Sequence, residues 1–225
     1  MIRKTFLALA LLGLVAVPAA AQIQVDLIPY IGGYLPTNDL AVVSFASSPD
    51  QTTSLRAKQR PGFLLGGRVD LWFSPKWGVE GNFAYAFSQG DLTSSVGGQT
   101  DDLCIQASTD CGAYVWYGSV KALYRISPKP DSDYSIHLAA GPAYIGRGGA
   151  FYDELDASDT SDFGGVLGVG VDVAVSPMLG LAIDLEDYIY SYKTEVEIAG
   201  TTYQASSKIQ NDLAFTVGLV IHLGK

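Results

Sequence analysis

Arg68, Asp70, Glu80, Lys121, Arg125, Asp172, Asp184, Glu186 and Asp212 each stand at an alternate position opposite an apolar residue. His137 falls in the same pattern. Charges of both signs grouped on one face need partners or water. Two kinds of chemistry follow. A structural ion-pair network could fill an interior, or a narrow solute pathway could run through it, and the acidic excess would then favour cations. Nucleophilic catalysis would need a serine, a histidine and an acid in mutual contact. His137 and His222 are the only histidines, and Ser135 precedes His137 by two positions without a recognisable motif. No catalytic residue is assigned, and the expectation is that the chain is not an enzyme.

Cys104 and Cys111 form an even pair with no histidine or third cysteine nearby, so they read as a disulfide in an oxidising compartment rather than a metal site. The acidic stretch Tyr152–Asp162 lacks the glycine and terminal glutamate of an EF-hand loop. It reads as a solvated loop, and neither a metal nor a cofactor is expected.

Strands must position these side chains, because apolar residues recur with period two. Phe63, Leu65, Val69, Leu71 and Phe73 oppose Gly66, Arg68, Asp70 and Trp72. Val79, Phe83, Tyr85 and Phe87 oppose Glu80, Asn82, Ala84 and Ser88. Trp116, Val120, Ala122, Tyr124 and Ile126 oppose Ser119, Lys121 and Arg125. Tyr134, Ile136, Leu138, Ala140 and Tyr144 oppose Ser135, His137 and Arg147. Leu167, Val169, Val171 and Val173 oppose Gly164, Gly168, Gly170 and Asp172. Leu181, Ile183, Leu185 and Ile189 oppose Asp184, Glu186, Tyr188 and Tyr190. Leu213 to Leu223 alternates against Gln210, Asp212, Thr216 and His222. With Val25–Leu35 these segments predict an all-β fold of eight strands.

The connections alternate in length. Ser74-Pro75, Ser127-Pro128 and Ser176-Pro177 mark short reversals, since proline presets a turn and cannot donate to a ladder. Pro36–Arg60, Gly90–Gly112, Gly148–Asp162 and Thr194–Lys208 are long and polar, and read as loops. Short turns at one rim and long loops at the other mark an up-and-down transmembrane barrel. Pro29 and Pro142 fall inside strands of such a barrel, so each should coincide with a bulge or strand end.

The N-terminus supplies the route to the membrane. Arg3 and Lys4, the apolar run Phe6–Val17 and the small residues Ala19-Ala20-Ala21 describe a secretory signal peptide over residues 1–21, leaving 22–225 as one barrel domain. The whole chain carries −9, and losing Arg3 and Lys4 makes it more acidic still. That charge argues against nucleic acid as a partner. A soluble lipocalin-like barrel or sandwich would alternate in the same way. The unbroken apolar face suits lipid, however, and aromatics collect at its ends. Phe73, Trp77, Tyr124 and Tyr134 lie by the short turns, and Phe63, Phe87, Trp116, Tyr144 and Phe163 lie toward the loops.

The signal peptide, the strand spacing and the final segment Asp212–Leu223 resemble the outer-membrane β-barrel domain family, the small eight-stranded barrels of the OmpA, OmpX and OmpW type. The chain ends Leu223-Gly224-Lys225, without the terminal aromatic common in that family. The resemblance implies a monomer in the bacterial outer membrane, contacting outer-membrane lipid and lipopolysaccharide and inserted by the barrel-assembly machinery. It implies a structural or surface-interaction role carried by the outer loops. Transport of small hydrophobic or cationic solutes is the alternative, and lipid modification a more distant one.

Overall fold

The computed structural model describes residues 23–48, 51–96, 99–102, 104, 110–126, 133–154, 161–198 and 201–223. The proposed signal peptide, the Ser127-Pro128 turn and most of the acidic loop lie outside them. Eleven strands run in chain order: β1 (Gln24–Pro36), β2 (Ala41–Ser48), β3 (Gln51–Gln59), β4 (Gly62–Trp72), β5 (Trp77–Val96), β6 (Gln99–Asp102), β7 (Gly112–Ile126), β8 (Tyr134–Gly148), β9 (Ser161–Ala174), β10 (Leu179–Ile198) and β11 (Thr201–Leu223). A short helix, α1 (Ala150–Glu154), lies between β8 and β9.

Eight of these strands close a barrel. The ring β1-β4-β5-β7-β8-β9-β10-β11 is antiparallel at every step. It shuts where β1 meets β11, from Val25 opposite Leu223 to Pro36 opposite Asp212. Closure leaves no sheet edge in the ring, so the wall can cross lipid with its backbone paired. The predicted apolar face is outermost: Ile31, Leu65, Phe83, Val120, Leu167, Leu185 and Phe215 are all exposed. A continuous exposed apolar wall is what a hydrocarbon solvent selects. Trp77 meets Tyr124 at one end of it and Trp116 meets Tyr144 toward the other.

The two described Ser-Pro turns use the same device. Ser74 Oγ accepts the amide of Trp77, and Ser176 Oγ accepts that of Leu179. The backbone amides of Phe73 and Val175 return to the carbonyls of Trp77 and Leu179. Serine thus satisfies the turn while proline sets its direction.

The opposite end departs from the expectation of irregular loops. β2 and β3 form a hairpin within residues 36–60, and β3 pairs with an extension of β5. β5 spans 20 residues, β10 another 20 and β11 23, roughly twice what a bilayer crossing needs. Hydropathy marks these segments as loops because their composition is polar. Their Thr, Ser and Val residues still favour the ladder once a membrane strand has begun it. Gly149, at φ 109°, then turns the chain inward into α1.

The prolines also depart from expectation. Leu27 opposes Ile221 and Tyr30 opposes Gly218 in one unbroken register, without a bulge at Pro29. Ser119 opposes Ala143 and Ala122 opposes Ala140, again without a shift at Pro142. Pairing lapses only beside the proline, and only toward one neighbour. Pro29 stays opposite Gly67, and Pro142 opposite Gly165. A strand residue donates to one side alone, so losing one N–H spares the other ladder.

Cys104 and Cys111 are disulfide-bonded at the loop end. On the loop-entropy model so short a closure contributes roughly 2–3 kcal/mol to local order. Reduction should therefore speed amide exchange in β6 and the start of β7. The melting temperature of the barrel wall should not move, since the bridge lies outside the ring. A matching drop in barrel melting would contradict that placement.

Candidate functional site in the barrel lumen

Every inward position is dictated by strand parity, and small residues decide where long ones fit. Glu80 and Lys121 are cross-strand partners between β5 and β7. Across the lumen, Gly168 and Gly170 on β9 face Glu186 and Asp184 on β10. A Cβ at Gly170 would run into the carboxylate of Asp184 and the ring of His137. Glycine there vacates the volume that the charged side chains occupy.

The charges predicted as one network occupy three levels. Arg68, Glu80, Lys121, Asp184 and Glu186 form a central cluster together with His137, all of them buried. Lys121 Nζ bridges Glu186 and Glu80, the latter at 2.5 Å. Arg68 pairs with Asp184 and reaches Glu186 at 4.0 Å. His137 presents Nε2 to Asp184 at 3.1 Å and Nδ1 to Asp172 at 3.2 Å. Ionised carboxylates only accept, so a ring facing two of them donates from both nitrogens as an imidazolium. Arg68, Lys121 and His137 then face four carboxylates, Glu80, Asp172, Asp184 and Glu186. Tyr188 donates to Glu186 at 2.7 Å, Asn82 to Tyr188 at 2.9 Å, and Tyr30 to Asn82 at 2.6 Å.

Asp212 lies a level higher, outside that cluster. Its carboxylate accepts from Tyr117 at 2.9 Å and Tyr190 at 2.7 Å. The Tyr117 and Tyr188 rings pack at 4.3 Å, joining this tyrosine layer to the charges below. Arg147 covers the rings of Tyr190 and Tyr192 and pairs with Asp162 at 2.6 Å. Helix α1 closes the layer with Phe151 and Tyr152, each 2% exposed, and Tyr152 donates to Gln59 at 2.8 Å.

Asp70, Arg125 and Asp172 belong to the end with the short turns. Arg125 lays its guanidinium on the Trp72 ring at 3.7 Å instead of pairing with an acid. Asp26, not among the site residues expected from the sequence, meets His222 there at 2.6 Å. Arg147 and the tyrosines also join the site beyond the residues expected from the sequence. Their parity with Glu186 and Asp212 was the available signal.

Ser135, His137 and Asp172 are not arranged as a triad. Ser135 donates to Asp172 at 3.4 Å, while His137 spends both nitrogens on carboxylates. Among the described residues no group of His, Cys, Asp or Glu is placed to hold a metal.

The model of the outer membrane protein beta-barrel domain matches residues 7–222, nearly the whole chain. The chain belongs to that family. Of solved structures, OprG from Pseudomonas aeruginosa is similar at TM-score 0.61 and 11% identity, covering 90% of this chain and 97% of OprG. The outer membrane protein AlkL, determined in lipid bilayers, is similar at TM-score 0.53 and 10% identity, covering 93% of this chain and 95% of AlkL. Outer membrane protein W of E. coli gives TM-score 0.44 at 14% identity, covering 89% and 98%. At such identities the likeness is one of fold. No curated protein sequence matches the chain.

Proposed function

We propose that this family member is a closed outer-membrane barrel that anchors a structured outer face and acts through contact at that face. The observation that carries the reading is the doubly blocked lumen. The Lys121–Glu80–Glu186 and Arg68–Asp184 pairs cross it at one level, and the Tyr117, Tyr190, Phe151 and Tyr152 layer crosses it at the next. An eight-stranded barrel is narrow enough for side chains to fill. The extended β2, β3, β5, β6, β10 and β11 supply the outer platform, with lipopolysaccharide as the surrounding partner and the barrel-assembly machinery as the route of insertion. Single-channel recording in planar bilayers tests this. The folded protein should show no stable conductance, and a reproducible open level would overturn the reading.

A second reading, a narrow path for small cations, draws on the acids at the short-turn end and on the ionic character of the central block. Neutralising one member of the cluster would then raise conductance from a finite starting level. Lipid modification draws no support from the Ser135, His137 and Asp172 geometry.

A further inference from the structure

A cavity of about 240 Å³ opens at the short-turn end of the lumen. Asp26, Asp70 and Asp172 line it, with Arg125 and His222 as the basic groups. Ile28 and Val220 supply apolar wall.

One row of cross-strand partners explains why this cavity is unusual. His222 opposes Asp26, Asp26 opposes Asp70, Asp70 opposes Glu80, and Glu80 opposes Lys121. Like charges directly opposite one another are unfavourable. The outer acids of the row each have a partner, Asp26 in Gln24 and His222 and Glu80 in Lys121. Asp70 stands between them, 3% exposed, and its Oδ1 has no hydrogen-bond partner. A buried carboxylate flanked by two others calls for a cation. Arg125 lines the same cavity but rests on Trp72.

We propose that this vestibule binds a small alkyl-ammonium or diammonium cation, with Asp70 as the anchoring carboxylate. The ammonium pairs with the Asp70 carboxylate and supplies the positive charge that this acid lacks. The alkyl chain lies along Ile28 and Val220. Asp172, on the far side of the cavity, already accepts from Ser135 and faces His137, and adds a second negative group to the lining. A bare divalent ion fits less well, because the described acids do not converge as a ligand set.

The test uses the folded barrel in nanodiscs of zwitterionic lipid, titrated with 1,4-diaminobutane and, separately, with uncharged 1,4-butanediol. Backbone amide shifts should saturate with the diamine at the strand ends around Asp26, Asp70 and Asp172, and the diol should produce none. Asp70→Asn should weaken binding about tenfold or more, the loss expected for a charged hydrogen-bond partner. Asp70→Ala should do the same, and heat-modifiable gel mobility reports that each variant is folded. Asp162→Asn, at the opposite end, should bind like the parent. Absence of saturation in the parent, equal curves for parent and Asp70 variants, or shifts confined to the loop end would each overturn the proposal.

Discussion

Replacing Lys121 by methionine is expected to lower the unfolding free energy in lipid bilayers by about 3–5 kcal/mol, the range for removing one partner of a buried ion pair. Lys121 is the shared cation of Glu80 and Glu186, and all three are buried. Without it two carboxylates face each other across a space that water barely reaches. Arg68 cannot substitute. It already holds Asp184, and its distance to Glu186 is 4.0 Å. Replacing the whole group, with Glu80→Gln and Glu186→Gln added to Lys121→Met, should recover most of the loss, because no unpaired charge is then left. Urea titration of liposome-inserted protein measures both. Stability of the single variant equal to that of the parent would mean that water or Arg68 already neutralises the acids. The ion pairs would then not be the element that closes the lumen.

The same residues show how far strand parity reaches. Parity turned Arg68, Glu80, Lys121, Asp184 and Glu186 inward from sequence, because one-residue alternation allows a side chain only two directions. It could not say how high along the barrel each one sits, since height depends on the stagger between strands. Asp212 and Asp172 share a face with the central cluster and yet lie on either side of it. Arg125 shows a different limit. Its preference for the Trp72 ring over a nearby acid depends on a ring contributed by a strand distant in sequence. The plug from α1 was the least legible feature. Phe151 and Tyr152 follow Gly149 in a segment whose composition reads as solvent-exposed loop. Only the positive φ of that glycine, and the space left for Phe151 beside Gly90, bring them into the lumen. Hydropathy reports where a residue sits relative to lipid, and so marks the outer strands as loops. Backbone pairing, however, continues past the lipid boundary.

Two neighbouring positions on β9 separate the two surfaces of the wall. Val171 faces outward between Ile136 on β8 and Ile183 on β10. Val171→Arg should destabilise the barrel by about 2–4 kcal/mol, as arginine does at the bilayer midplane, with less effect where the side chain can reach the interface. The penalty should therefore shrink in thinner bilayers, where the guanidinium has a shorter path to water. Gly170→Arg places the same charge one residue away and on the other side. Its first side-chain atom already meets Asp184 and His137, so the damage comes from crowding the lumen and displacing His137 from its carboxylates. That loss has no reason to depend on bilayer thickness. Unfolding titrations of both variants in liposomes of two chain lengths distinguish the mechanisms. Should Val171→Arg prove neutral, or Gly170→Arg be the thickness-sensitive one, the outward and inward faces of β9 would have to be exchanged. With them would go the side assigned to Asp172.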